Sequence, residues 1–460
     1  SFGVCGNAVV NVANGVYNEY LELTRVPGLN VNNTLTIDGG DSSLTILSHD
    51  ASTNLATVTL NGVDYVTIRN MTIQATNSSQ GVSVLMTGGT DYNTISNCVL
   101  RVSTSSTSTL VTNVTASGST TSPTFTPTPP TNYNTIANNR IIGGYYGVRF
   151  YGDFNTINSV GNRILNNDMD SVWYFGAYVY YQDSAEVIGN DINLLQRANI
   201  NGDAIYMYTN NNGKINANNV VCDDWGIYWS NTNTLLRPLN RPNEMINNMV
   251  SSSSDYGAYI YSIDSLNFWF NSIQTFGTSA PALFFTHIVG SYEMDNIDFR
   301  NNILSSSSTA ALDMNAMTDT IFVKCDNNLY NTTTGTVLVD INGATYSDLP
   351  SWITASPLLN ANSLEGDPQF TSPTDLHIVG AFVNDSGDAS VPITVDIDGD
   401  VRPRPAAASV DIGADEFDPP TCPPPSNQSI TALGSDSVVL LWNTVIVGNP
   451  IEVEWMPCGV

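Results

Sequence analysis

An asparagine set among apolar residues returns at nearly one interval along most of this chain, and a returning interval constrains a fold more tightly than composition does. The pattern reads apolar, x, Asn, x, x, apolar: "IRNMTI" at Asn70, "ISNCVL" at Asn97, "IANNRI" at Asn138 and "VGNRIL" at Asn162. It goes on as "IGNDIN" at Asn190, "NANNVV" at Asn218, "MINNMV" at Asn247, "WFNSI" at Asn271, "FRNNIL" at Asn301 and "CDNNLY" at Asn327. Asn190 and Asn271 reach their apolar partner one residue early, and Asn218 lacks the leading apolar residue. Successive asparagines lie 27, 41, 24, 28, 28, 29, 24, 30 and 26 residues apart. The ordinary intervals equal two or three short strands plus turns, the length of one rung of a parallel β-solenoid.

Rungs stack about 4.8 Å apart, so equivalent side chains lie over one another. An Asn at a turn can bond its own backbone, adopt a left-handed conformation, and bond the amide above and below, which predicts a ladder through these ten positions. The long interval holds residues 103–131, a Ser/Thr/Pro-rich stretch read as an excursion from one turn of the coil. Strings such as "TVTLNGVDYVTIRNMTIQ" alternate with period two and are rich in β-branched residues, whereas no sustained 3.6-residue spacing with caps occurs. The expected fold is all-β: a parallel β-helix of about a dozen rungs over residues 1–417, capped near its start by "SFGVCGNAVV".

Composition agrees with an extracellular solenoid. Only 12% of residues are charged, with 14 Lys+Arg against 42 Asp+Glu, so polarity comes from Asn, Ser and Thr. The formal net charge of −28 makes nucleic acid, anionic lipid and acidic polysaccharides poor partners. No stretch approaches the roughly 18 apolar residues of a membrane span, and the chain, opening on Ser1, reads as a mature or trimmed secreted product. The six cysteines include no CxxC pair. Cys98, Cys222 and Cys325 sit in apolar strand patterns and read as buried free thiols, while Cys422 and Cys458 flank the last segment, where they could pair.

A second column follows the Asn rungs: "GVRFYG" (147–152), "GAYVYY" (176–181), "AIYMYT" (204–209), "GIYWSN" (226–231), "GAYIYS" (257–262) and "ALFFTH" (282–287). Alternation sends Val148, Phe150, Ala177, Val179, Ile205, Met207, Ile227, Trp229, Ala258, Ile260, Leu283 and Phe285 to the core. It sends Arg149, Tyr178, Tyr206, Tyr228, Tyr259 and Phe284 outward, with Tyr151, Tyr180, Tyr208 and Tyr261 two residues on. The strip has three readings: a ligand site, since tyrosine offers an apolar face and a hydroxyl to a sugar; a ladder that stabilises stacked strands; or a surface covered by residues 103–131 or by another subunit.

Asp203, Asp224 and Asp255 precede the same strand in three consecutive rungs, and Asp224 and Asp255 fall in one column, about 5 Å apart if the rungs stack. Turn capping, a Ca²⁺ site and an acid/nucleophile dyad all fit them. In "VDIDGDVRP", Asp396, Asp398 and Asp400 alternate with a glycine like the front of a Ca²⁺ loop but without its closing Glu, so a solvated turn competes with a metal site. No cofactor is required by the pattern; Ca²⁺ is the one ion it admits.

These strings resemble the right-handed parallel β-helix proteins of the pectin-lyase-like fold. The resemblance narrows to large secreted surface proteins exported through the type IX pathway of gliding-type bacteria. It covers roughly residues 1–417 and rests on "VVNVANGVYNEYLEL", "LNGVDYVTIRNMTI", the Asn rungs and the closing "VDIDGDVRPRPAAASVDIGADEF". Such folds host lyases, which need a base and a cation, and hydrolases, which need paired carboxylates. Here Arg149 is the one cation in the aromatic columns, His49, His287 and His377 are far apart, and the "GHG" string of such hydrolases does not occur. The resemblance therefore implies a secreted or surface-attached structural or adhesive rod, contacting glycan or surface protein through the tyrosines. The rivals are a carbohydrate-active enzyme using Asp203, Asp224 and Asp255, and a self-associating fibre subunit.

After residue 417, "DPPTCPPPSNQ" (418–428) reads as a Pro-rich linker. Residues 429–460 resemble the start of a fibronectin type III module with Trp442 as its early core tryptophan. Such a sandwich needs about 90–100 residues, and 38 follow Cys422 (460 − 422), which implies a longer protein.

Overall fold

The computed structural model describes residues 3–153, 159–197, 201–231, 242–277, 280–290, 294–307, 309–405 and 407–417, and the backbone of 426–433 and 438–443. Contacts divide the chain into Ser1–Phe417 and Asp418–Val460. The first unit winds through three sheets of 12, 13 and 14 strands, parallel except for the last strand of the 14-stranded sheet, and neighbours are generally three strands apart in sequence. This is a parallel β-helix of about eleven turns. Each return to a sheet is a parallel crossover, a connection that is right-handed in nearly all folds, and the coil is a right-handed parallel β-helix. Within the second unit, Ser426–Leu433 and Val438–Asn443 pair as an antiparallel two-stranded sheet. The Cys422–Cys458 pairing lies outside the described residues.

Alternation fills the coil. The inward residues Val148, Phe150, Val179, Met207, Trp229, Ile260 and Phe285 are at most 1% exposed and belong to one continuous core. Cys98, Cys222 and Cys325 are buried free thiols in that core. Small residues open the third-sheet strands because neighbouring rungs touch there: a Cβ on Gly226 would lie 2.5 Å from the Gly257 carbonyl oxygen.

The asparagine ladder exists, one residue away from where the motif places most of it. The turn from first to second sheet has two residues with separate roles. Asn70, Asn97, Asn138, Asn247, Asn301 and Asn327 occupy its first position with φ between 52° and 59°, in the left-handed region that Asn tolerates. The second position carries the ladder: Asn139, Asn167, Asn190, Asn218, Asn248, Asn271, Asn302 and Asn328. From Asn167 on, each side-chain oxygen accepts both the backbone N–H and the amide of the Asn one rung earlier, as Asn218 does from Asn190 at 3.0 Å each, while Asn139 accepts the Cys98 N–H. Of the ten expected members, Asn190, Asn218 and Asn271 belong to this ladder, and they are the three that fit the motif poorly. Asn162 belongs to a second ladder at the turn into the first sheet, with Asn93, Asn134 and Gln182.

Two expectations about the coil's outline change. Residues 111–116 within the 103–131 stretch form a regular third-sheet strand, with Val111, Val114 and Ala116 fully buried, so only the flanking residues leave the coil. The expected cap is not seen among the described residues of "SFGVCGNAVV": Ala8–Asn11 is itself the first strand, and Val9 and Val10 are 56% and 50% exposed. At the opposite end Leu349–Ala355, an α-helix, packs Leu349 and Trp352 into the core.

Residues 383–417, which end in the closing string, return along the coil as a strap. It packs Val391 and Val410 on Ile246, Trp269 and Phe270, and Val383 and Ile412 on Ile303 and Leu329. Left-handed asparagines hold it: the Asn247, Asn301 and Asn327 amides donate to the carbonyls of Val395, Asp388 and Ser386 at 2.8, 3.1 and 2.9 Å.

Candidate functional site

The third sheet stacks the aromatic column in the expected register: Arg149, Tyr178, Tyr206, Tyr228, Tyr259 and Phe284 are successive partners. Tyr151, Tyr180 and Tyr208 run beside them, and Tyr261 follows Ser230. The strip is half-buried rather than open, and Tyr228 is only 8% exposed. Ring faces are taken by neighbouring rings. Tyr206 stacks on Tyr178 at 5.3 Å and on Tyr228 at 4.5 Å; Tyr180 stacks on Tyr151 at 4.9 Å and on Tyr208 at 4.4 Å. Inside the stack, edges and hydroxyls are what remain for a partner. At the strip's start, Arg149 is 3% exposed and donates to the carbonyls of Ala116, Pro123 and Thr124. Residues of the 103–131 stretch thus cover that end.

Beside the strip, the turn from second to third sheet builds a cleft of about 320 Å³ lined by Tyr174, Phe175, Tyr178, Asp203, Tyr206, Asp224 and Trp225. Asp203 begins its strand and is 5% exposed. Burial pushes its carboxyl up to about 8, helped by the charges of Asp224 and Asp255 and opposed by a hydrogen bond from the Trp225 backbone. Burial, with Asp255 nearby, pushes Asp224 up to about 6. Asp255 is anchored by the Trp225 indole N–H at 3.1 Å and by the Tyr256 backbone N–H at 3.0 Å. Trp225 in turn stacks on Tyr228 and Tyr259 at 5.0 and 5.2 Å, which ties the carboxyls to the strip.

The sequence pattern brings the three aspartates to one place but misses the wall of Tyr174, Phe175 and Trp225. Tyr174 and Trp225 lie in turns, where no period marks them, and Phe175 opens its strand; their signal was an aromatic one or two residues before four of the third-sheet strands, at Tyr145, Tyr174, Trp225 and Tyr256. Beyond Phe284 the same outward column continues as Asp313 and Asp340, and burial with Asp340 nearby lifts Asp313 to about 6.

The second acidic group differs from its expected composition. Carboxylate oxygens of Asp396, Asp398 and Asp415 lie within 4.8 Å of one another, and Asp415 stands where Asp400 was expected. The Asp396 carboxylate already accepts the backbone N–H groups of Asp398, Asp400 and Glu416 at 2.9, 2.8 and 2.9 Å. Asp398 sits 3.0 Å from His377 Nε2, and Asp415 accepts the Ile378 N–H at 2.8 Å. These bonds fasten the strap's turn to the strand Asp375–Ile378.

Asp203 makes stability depend on pH with a definite sign. Its folded-state affinity for a proton exceeds that of an unfolded aspartate, so the native state binds more protons between about pH 4 and pH 8. That contribution is fully present below about pH 4 and is lost as pH rises through 8. Asp203→Asn is expected to match the parent at about pH 3.5 and to exceed it at about pH 9 by on the order of a few kcal/mol, measured by denaturant unfolding at both pH values.

No protein-family model matches this sequence, and neither does any curated protein. Among solved structures, the A-module of Azotobacter vinelandii mannuronan C-5 epimerase AlgE6 is similar at 11% identity over 78% of this chain and 91% of that one, with a TM-score of 0.38. The Streptococcus pneumoniae surface protein and adhesin PfbA is similar at 11% identity, 78% and 89% coverage and a TM-score of 0.34. A mannuronic acid specific polysaccharide family 6 lyase from human gut microbiota is similar at 9% identity, 79% and 82% coverage and a TM-score of 0.33. Such likenesses assign neither activity nor ligand to this chain. Among the described residues no helix is long and apolar enough to cross a membrane.

Proposed function

We propose that this chain is a secreted, surface-attached rod that holds a neutral glycan in the Asp203 cleft. The observation that carries the reading is a carboxyl buried at the floor of an aromatic cleft, where burial keeps it protonated at neutral pH. A neutral carboxyl both donates and accepts a hydrogen bond, which suits a sugar hydroxyl, and tyrosine hydroxyls and ring edges supply further contacts. The net charge of −28 disfavours polyanionic chains and leaves neutral ones unopposed. A coil with a continuous core is stiff enough to project such a site from a surface, and export by the type IX pathway with a fibronectin type III module behind the coil belongs to the same proposal.

One observation favours a carbohydrate-active enzyme as the second reading. Burial lifts Asp203 to about 8 and Asp224 only to about 6, a separation of acid and base roles that glycoside chemistry uses. A glycan array paired with a turnover screen separates the two. The binding reading expects neutral oligosaccharides to be retained without product, with affinity at least about tenfold weaker in Tyr178→Phe/Tyr206→Phe, which keeps the stack and deletes two hydroxyls. Product that disappears in Asp203→Asn establishes the enzyme; no glycan bound and no product rejects both.

A further inference from the structure

We propose a second binding site, on the second sheet around Arg101, that takes an oligosaccharide carrying a single carboxylate or sulfate group. Two polar clefts of about 390 and 400 Å³ share Thr76 and so form one groove along the early rungs. Its floor is a column of outward residues from three consecutive strands, in which Ser48 pairs with Gln74 and Gln74 with Arg101. At the rung spacing these three span about 10 Å. The Gln74 amide donates to Ser48 Oγ at 3.0 Å, which fixes its orientation, and Ser103 and Thr104 add hydroxyls at the Arg101 end.

The groove's charge is what selects the ligand. Arg101 is exposed and, among the described residues, forms no ion pair, in a chain with 14 Lys+Arg against 42 Asp+Glu. The other arginine of the second sheet, Arg140, lies 3.2 Å from Asp170 and 3.8 Å from Asp168. Arg101 lacks such a neighbour because its register partners are Gln74 and the buried Ile142. An uncompensated guanidinium offers a fork of N–H donors to one planar or tetrahedral oxyanion. At the other end Asp50 is held below the ordinary carboxylate range by the Ser52 hydroxyl and backbone N–H, so it stays charged and repels a second anion. The groove therefore fits one acidic sugar next to neutral ones, rather than a polyanion. Hydroxyls, an amide and an open, wet outline suit a polyhydroxylated ligand.

The test is calorimetric titration of the full chain with glucuronosyl-xylobiose and its carboxyl-reduced form, and with 6-sulfo-lactose and lactose. At least one acidic probe is expected to bind tenfold or more tighter than its neutral counterpart, and which probe does so identifies carboxylate or sulfate as the group recognised. Arg101→Gln is expected to abolish that preference with an unchanged melting temperature, since the side chain is exposed, whereas Lys324→Gln, which removes the same charge on the first sheet, keeps it. Equal binding of acidic and neutral probes, no binding of any probe, or a preference that survives Arg101→Gln overturns the proposal.

Discussion

Replacing Asn218 with Ala is expected to destabilise the coil by about 3–5 kcal/mol, whereas Asn138→Gly, in the neighbouring column, is expected to change stability by less than about 1 kcal/mol. Asn218 is fully buried and sits in mid-ladder. Its oxygen accepts the Asn190 backbone N–H and amide at 3.0 Å each, and its amide donates to the Val187 carbonyl at 2.9 Å and to Asn248 Oδ1 at 3.0 Å. Truncation strands several buried polar groups where water has no access, and each costs about 1–3 kcal/mol when left unpaired. Asn138 is exposed, at φ 56°, a conformation glycine adopts without strain. Urea unfolding of the two variants measures the contrast, and equal losses would mean that the two turn positions do not differ as described.

The second large effect is expected at the strap. The Arg402 side chain is 0% exposed and meets the equally buried Glu416 at 3.0 Å; it also donates to the Gly413 carbonyl at 2.8 Å and lies 4.2 Å from the centre of the Phe270 ring. Burial disfavours both charges and raises the Glu416 carboxyl, but a guanidinium does not deprotonate in proteins, and its charge together with the Asp411 and Arg404 backbone N–H groups favours the carboxylate form. Removing the cation leaves that carboxylate buried and uncompensated, a change that costs about 3–5 kcal/mol. Arg402→Met is expected to lose this much stability. The strap is also expected to become cleavable between 385 and 417 under limited proteolysis, while the coil, whose core is separate, persists. Restoration by Arg402→Met/Glu416→Leu, which removes both charges, would confirm that the loss comes from the orphaned carboxylate.

Much of the coil was legible because its rules are short-range. Period-two alternation set the inward face of each strand, and the interval between rungs set the stacking, so the tyrosine register could be read directly. The ladder was harder because "NN" pairs at 138–139, 247–248, 301–302 and 327–328 place two asparagines with different tasks side by side. The resolving signal was present: at 189–190, 217–218 and 270–271 the left-handed position is Gly, Ala or Phe, and Asn is kept only at the ladder position. A left-handed turn tolerates several residues at modest cost, whereas the ladder position needs an oxygen that accepts two bonds and a nitrogen that donates two, which a carboxamide supplies.

The candidate site was half legible. Asp203 opens a strand and Asp224 and Asp255 stand three residues before the next two, while Tyr174 and Trp225 come from turns that obey no period and Phe175 opens its strand. Whether the Tyr strip was open could not be read from alternation, since stacking consumes the ring faces and residues 117–131 cover Arg149. The strap was invisible because it meets the coil across separations such as 87 residues between Asn301 and Asp388 and 148 between Asn247 and Val395.

The central claim is that a protonated Asp203 holds neutral glycan in the third-sheet cleft, and calorimetric titration of the neutral oligosaccharide retained on the array, at pH values from 6 to 9.5, tests it most directly. Affinity is predicted to fall as Asp203 ionises, with a midpoint near the value of about 8 to which burial raises it, and to show no such fall in Asp203→Asn. Binding that is equal at pH 6 and 9.5 in the parent, or that shows the same pH dependence in Asp203→Asn, would contradict it.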